Sequence, residues 1–131
     1  MTSLTATKQK KIFIICPVRD VTDEEKRFIA DYIVRLESKN CKVHYPSRDT
    51  NQNDPIGVKI CAQNRAAIKE SDEVHVYWNR KSAGSLFDLG MAFSMEKKIV
   101  SINPEYVLQG ITDGKKSFYN VLASLSGIRK V

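Results

Sequence analysis

No apolar run in these 131 residues approaches the roughly 18 that a membrane-spanning helix needs, so no bilayer crossing is expected. The opening MTSLTATKQKK is polar and basic and lacks the apolar stretch of a secretory leader, which makes the cytoplasm the expected compartment. Cysteine is scarce: Cys16, Cys41 and Cys61 form no CxxC pair and no Cys/His cluster of zinc spacing. Reduced thiols are expected, with no disulfide, metal or cofactor. Cys16 alone falls at an expected strand end, where a reactive thiol would have access to a ligand. A basic helix stripe and an RNP-like aromatic pattern are also missing, although the net charge is +6. Lys and Arg are instead scattered in pairs, so nucleic acid is not the expected partner. A solvated basic surface fits this charge, and so does a preference for small phosphorylated anions. No repeat, low-complexity tract or linker divides the chain. Residues 1–131 therefore read as one domain, with 1–10 as a flexible basic N-terminus.

What is present is ordinary for a soluble globular domain, with 42% hydrophobic and 27% charged residues. KIFIICP is a short, fully apolar run closed by Pro17, the pattern of a strand buried on both faces. Behind it, Thr22 and Glu25 have capping-box spacing, and Phe28, Ile29, Tyr32, Ile33 and Leu36 recur at helical period. CKVHYP is a second strand, and SRDTNQNDP is a polar loop. Asp54-Pro55 predicts an N-cap and first helical residue for a helix over 55–71, with Ile60, Ala67 and Ile68 facing inward. EVHVYW, a helix over 85–96 and KKIVSIN follow, and SFYNVLASLSG places Phe118, Val121, Leu122 and Leu125 on one helical face. Strands at 11–16, 41–45, 73–78 and 98–102 alternate with helices, which predicts a parallel sheet with right-handed crossovers. The fold class is a small doubly wound, flavodoxin-like α/β domain with strand order 2-1-3-4 and helices on both faces. In such sheets ligands bind beyond the carboxyl ends of the strands, near the switch point. The loops CPVRDVTD, YPSRDTNQND and WNRKSAGS converge there.

One carboxylate stands out. Asp88 lies in GSLFDLGMA, among small and apolar residues, where a buried charge is costly. Ser85 and Asp88 have the spacing of a variant capping box, so helix capping is one reading and chemistry the other. Gly84 and Gly90 fit a tight turn with close packing, or the close approach of a ligand. His44 and His75 lie within strands and read as packed histidines. Trp78, at a strand end, suits either base stacking or core and interface packing.

The segment SAGSLFDLGMAFSMEKKIV resembles the signature of the nucleoside 2-deoxyribosyltransferase family, which includes the deoxynucleoside 5′-monophosphate N-glycosidases. Its pattern is a glycine, three residues, a catalytic glutamate and then Leu-Gly-x-Ala. Gly84, Asp88 and Leu89-Gly90-Met91-Ala92 follow it in register. NRAAIKESDEVHVYW and the first strand with CPVRD extend the likeness over residues 11–103. The resemblance implies a carboxylate nucleophile at Asp88, acting on a nucleoside or nucleotide by hydrolysis or base exchange. Arg19 and Ser82 match phosphate-contacting residues, and surface-loop roles are their neutral alternative. Cys16, Asp49, Asn51, Gly84 and Ser85 complete the expected substrate site. Asn51, Gln52 and Asn53 are placed to read a base edge, unless the loop is simply polar.

Two departures from the family pattern carry consequences. Asp is shorter than Glu by one C–C bond, ~1.5 Å, and a ~1 Å misplacement can lower a rate about a hundredfold. Asn64 replaces a second family carboxylate and cannot act as an acid or base, which leaves Asp49 or Asp54 as proton donor. The alternative function is therefore a catalytically lapsed nucleotide sensor, and a weaker third is a basic protein associated with nucleic acid. The family also completes its pocket from a neighbouring subunit. A homo-oligomer is implied, with Phe118, Tyr119 and the Trp78 region as contacts.

Overall fold

Ile12, Phe13, Ile14 and Ile15 have almost no exposed surface, as a strand buried on both faces requires. They belong to β1 (Lys11–Ile15), at the centre of a computed structural model that describes residues 8–79 and 81–129. β1 pairs in parallel with β2 (Lys42–His44) on one side and with β3 (Glu73–Val76) on the other. β4 (Lys98–Ser101) joins β3, also in parallel, giving the order β2-β1-β3-β4. The expected topology and strand order are those observed.

Alternation along β1 divides the core into two layers. Phe13 and Ile15 pack with Ile68 of α3 (Val58–Glu70), Leu89 of α4 (Ala83–Ser94) and Leu122 of α6 (Phe118–Leu125). Ile12 and Ile14 pack on the opposite face with Ile29 and Ile33 of α1 (Asp23–Ser38). Each fully buried isoleucine contributes about 2 kcal/mol of hydrophobic stabilisation. At the start of α1 both halves of the capping box form: Glu25 N–H donates to Thr22 at 3.0 Å, and Thr22 N–H donates to Glu25 at 3.1 Å.

Element ends depart from expectation for identifiable reasons. β3 stops at Val76, short of the expected 78, and at Trp78 a side chain takes over the pairing. Asn103 Oδ1 accepts the Trp78 amide at 2.9 Å, and its Nδ2 donates to the Trp78 carbonyl at 2.7 Å. The polar loop contains a short helix, α2 (Pro46–Asp49), with Pro46 at its first position. α3 begins at Val58 rather than Pro55, because Gly57 at its N-cap is left-handed (φ 94). Asp54 caps that helix from outside, accepting the Lys59 and Ile60 amides at 2.7 and 3.2 Å. PEYVLQ forms α5 (Pro104–Gln109). In α6 the buried residues are Leu122 and Ala123, whereas Phe118 and Val121 are exposed, so the core face is rotated from the expected one.

Residues 1–7 of the expected N-terminal tail lie outside the described residues. Lys10 is tied down, its Nζ 3.0 Å from Glu73 and its carbonyl accepting the Lys42 amide. Among the described residues no helix is long and apolar enough to cross a membrane.

Candidate functional site

The loops after β1 and β3 and the chain between β2 and α3 meet at the carboxyl edge of the sheet, beside the β1/β3 switch point. Between them lies a cleft of about 380 Å3, lined by Cys16, Arg19, Asn64, Ser82, Gly84 and Asp88, among others. The structure thus brings six of the expected site residues together.

α4 supplies the floor. Its N-cap is Ser82, whose hydroxyl oxygen accepts the Ser85 amide at 3.0 Å and the Ser85 hydroxyl at 2.9 Å. Ser85 is buried beneath Ser82 and is not itself on the cleft wall. Asp88 lies in the second turn, beyond the amides that a cap serves. The capping reading of Asp88 is corrected: the spacing is right, but the helix begins two residues earlier than expected. Asp88 is half-buried and has no hydrogen-bond or ion-pair partner among the described residues. Burial pushes its carboxyl up to about 6. Neither glycine of the motif is required by packing. A Cβ at Gly84 would lie an ordinary 3.9 Å from Ser82 Oγ, and one at Gly90 would meet open space.

Cys16 faces the same cleft, and its thiol is pushed up to about 12 by burial and by the charge of Asp88. It is a protonated, packed side chain. The reactive-thiol reading is corrected accordingly. Asn64, on α3, is 6% exposed and lines the cleft, and its Oδ1 accepts the Thr50 hydroxyl at 2.7 Å. Arg19 is exposed at the rim, and Lys81 joins it there.

Other expectations place residues elsewhere. Asp49 is not on the cleft wall. Its carboxylate accepts the Tyr45 amide at 2.8 Å and pairs with Arg48 at 2.8 Å. Burial opposes its ionisation, but Arg48 and the Tyr45 amide outweigh that and hold its pKa below the ordinary value. An engaged, ionised carboxylate is no proton donor, so the role expected of Asp49 is corrected. Asp54 is likewise occupied by the α3 amides. Asn51 turns onto its own loop, with Oδ1 accepting the Asn53 amide at 3.0 Å, whereas Gln52 reaches the cleft. Trp78 is 3% exposed and in edge contact with Tyr119, so its side chain packs in the core. His75 is buried between Glu73 and Tyr32, and His44 stacks on Phe13.

Sequence reasoning passed over Thr50, Lys81, Asp20 and Phe87. Lys81 was discoverable, since it precedes Ser82 in a converging loop. Phe87 is 57% exposed beside Asp88, a local violation of helix amphipathicity. Asp20 adopts a left-handed conformation (φ 55), for which the sequence carries no signal.

No protein-family model matches the chain, and no curated protein does. Among solved structures, the fold is similar to the CMP N-glycosidase BcmB of Clostridium botulinum, with a TM-score of 0.55 and 29% sequence identity. The similarity covers 70% of this chain and 67% of that one, and supports the resemblance to the nucleoside 2-deoxyribosyltransferase group.

Proposed function

We propose that this chain hydrolyses the N-glycosidic bond of a nucleoside 5′-monophosphate, with Asp88 as nucleophile. The observation that carries this reading is the half-buried Asp88 carboxylate, without a partner among the described residues, in the cleft at the carboxyl edge of the sheet. A pKa of about 6 leaves it mostly ionised at neutral pH and, with no competing cation or amide among the described residues, available for attack. The carboxylate oxygen bonds to the anomeric carbon as the bond to the base breaks and its electrons leave with the base. Water then resolves the glycosyl ester. The likeness to a CMP N-glycosidase supports the reaction class.

The phosphate half of the reading rests on α4. Ser82 takes the Ser85 amide, and the amides of Ala83 and Gly84 have no acceptor among the described residues. Such amides at a helix start, with the helix dipole behind them, favour an anion. Arg19 and Lys81 add positive charge at the rim. A second reading, a lapsed nucleotide binder, draws support from Asp88 and Asn64, which stand where the resembled family carries Glu and a carboxylate.

A panel of nucleosides, ribo- and deoxyribonucleoside monophosphates and NAD, assayed by chromatography for released base, tests both. Base release from a monophosphate is expected, faster than from the matching nucleoside. An added second base that ends up on the sugar indicates transfer instead of hydrolysis. If nothing is cleaved but one nucleotide raises the melting temperature, the binder reading replaces the enzyme.

A further inference from the structure

Beside the cleft a hydrogen-bond chain runs from the half-buried His44 on β2 through the buried Thr50 to Asn64 on α3. His44 Nε2 lies 2.8 Å from Thr50 Oγ1, and the Thr50 hydroxyl donates to Asn64 Oδ1 at 2.7 Å. Thr50 is 4% exposed and Asn64 6%, so water does not substitute freely for either partner. The His44 ring is fixed by parallel stacking on Phe13 at 5.3 Å.

The proton count along this chain is restrictive. Thr50 has one hydrogen to give. Given to Asn64, it leaves the Thr50 oxygen as an acceptor, so His44 must carry its proton on Nε2. Asn64 then commits its carbonyl to Thr50, and its Nδ2 hydrogens have no acceptor among the described residues. The opposite pattern moves the His44 proton to Nδ1, reverses the Thr50 hydroxyl and turns the Asn64 carbonyl outward. The histidine tautomer and the face that Asn64 offers are therefore one variable.

We propose that His44 and Thr50 are positioning residues that hold Asn64 with its N–H donors toward the cleft, where they bind an oxygen of the substrate. This rests on the nucleotide N-glycosidase reading for its substrate class. A donor here has chemical use, because Asp49 and Asp54 are occupied elsewhere. The departing base gains electron density that an N–H donor to a base carbonyl stabilises. A sugar hydroxyl is the other oxygen of the same acceptor chemistry. Comparison of CMP with its 2′-deoxy counterpart tells whether the 2′-oxygen is the one bound.

The test begins with the histidine rings of the 15N-labelled wild-type protein, read by two-bond 1H–15N correlation at neutral pH. His44 is expected with its proton on Nε2; a proton on Nδ1 overturns the proposal. Thr50→Val and Thr50→Ser are then compared for melting temperature and for kcat and KM of base release. Loss of one well-placed donor corresponds to about tenfold in kcat/KM for Thr50→Val. Thr50→Ser, which keeps the hydroxyl, should restore most of it. A Thr50→Val protein that folds and turns over like wild type sinks the proposal. So does a Thr50→Ser protein that folds like wild type but is no better than Thr50→Val. If wild type releases no base, the enzyme reading has failed independently. The relay is then judged by the His44 tautomer and by CMP affinity in calorimetry, which Thr50→Val should weaken and Thr50→Ser retain.

Discussion

Ser82 accepts the Ser85 amide at 3.0 Å, and this hydrogen bond releases Asp88 from any part in starting α4. The cap falls six residues before the carboxylate, on the same cleft wall. A half-buried charge left without a capping role destabilises the helix that bears it, and sites of chemistry tolerate such a penalty.

Asp88→Asn should therefore separate function from folding. Base release should fall below detection, since the amide cannot form a stable glycosyl ester. Stability should move the other way. The folded-state pKa of Asp88 is raised to about 6, so its stabilising contribution is complete only below the unfolded value of 3.8 and is lost as pH rises through 6. At pH 7 the ionised group is a net burden. Its replacement by a neutral amide should add ~1 kcal/mol once solvent screening of a half-buried group is allowed for. Urea titration at pH 7 and again below pH 4 checks this, with the gain vanishing at the lower pH. Wild-type turnover in Asp88→Asn would end the nucleophile assignment.

The same ionisation predicts the acid limb of activity. kcat/KM should rise with pH through about 6 and then level off, because only the carboxylate attacks. A phosphate monoester has its own second ionisation near pH 6. The profile is therefore repeated with the unphosphorylated nucleoside, whose limb belongs to the enzyme alone. A nucleoside profile flat from pH 5 to 8 contradicts the assignment.

The sheet was legible because short segments closed by Pro17 and Pro46 alternate with helical periods, and that alternation leaves one handedness of connection. The cleft was legible to the same depth. Topology brings Cys16, Arg19, Asn64, Ser82 and Asp88 to one edge before any side chain is considered. Asp49 and Asn51 escaped because loop conformation is set by pairings that no periodicity reports. The Arg48 guanidinium, which also reaches Glu37 at 3.2 Å and the Val43 carbonyl at 3.0 Å, holds Asp49 away. Thr50 escaped for the opposite reason: one threonine in a polar loop looks like any other until the fold buries it between a strand and a helix.

Glu73 offers a stability test away from the cleft. It opens β3 at the amino edge of the sheet, 2.9 Å from His75 Nε2 and 3.0 Å from Lys10 Nζ. Burial opposes its ionisation, but His75 and Lys10 outweigh it and hold the carboxyl at about 2. The contribution is therefore present above the unfolded value of 4.5 and lost as pH falls toward 2. Glu73→Gln should lower stability by about 1–3 kcal/mol at pH 7 and progressively less below pH 4.5, by chemical denaturation. Its kcat/KM should stay at the wild-type value, and a large loss would tie this network to the site.

Gly84→Ala probes how closely a ligand approaches α4. Gly84 is not left-handed, and the nearest atom to an added Cβ, Ser82 Oγ, is 3.9 Å away. The unliganded protein therefore has room for a methyl group, and alanine is the better helix former by up to ~1 kcal/mol. Stability should hold or rise slightly. A phosphate on the amides of Ala83 and Gly84 would meet that methyl group, because a backbone can approach an anion closely only where no Cβ intervenes. KM for the monophosphate should rise about tenfold or more, as one lost charge-assisted hydrogen bond implies. KM for the nucleoside should change far less. That contrast distinguishes a phosphate seat from a generally narrowed cleft, which would weaken both substrates alike. Equal KM values for wild type and Gly84→Ala with the monophosphate would move the phosphate away from the start of α4.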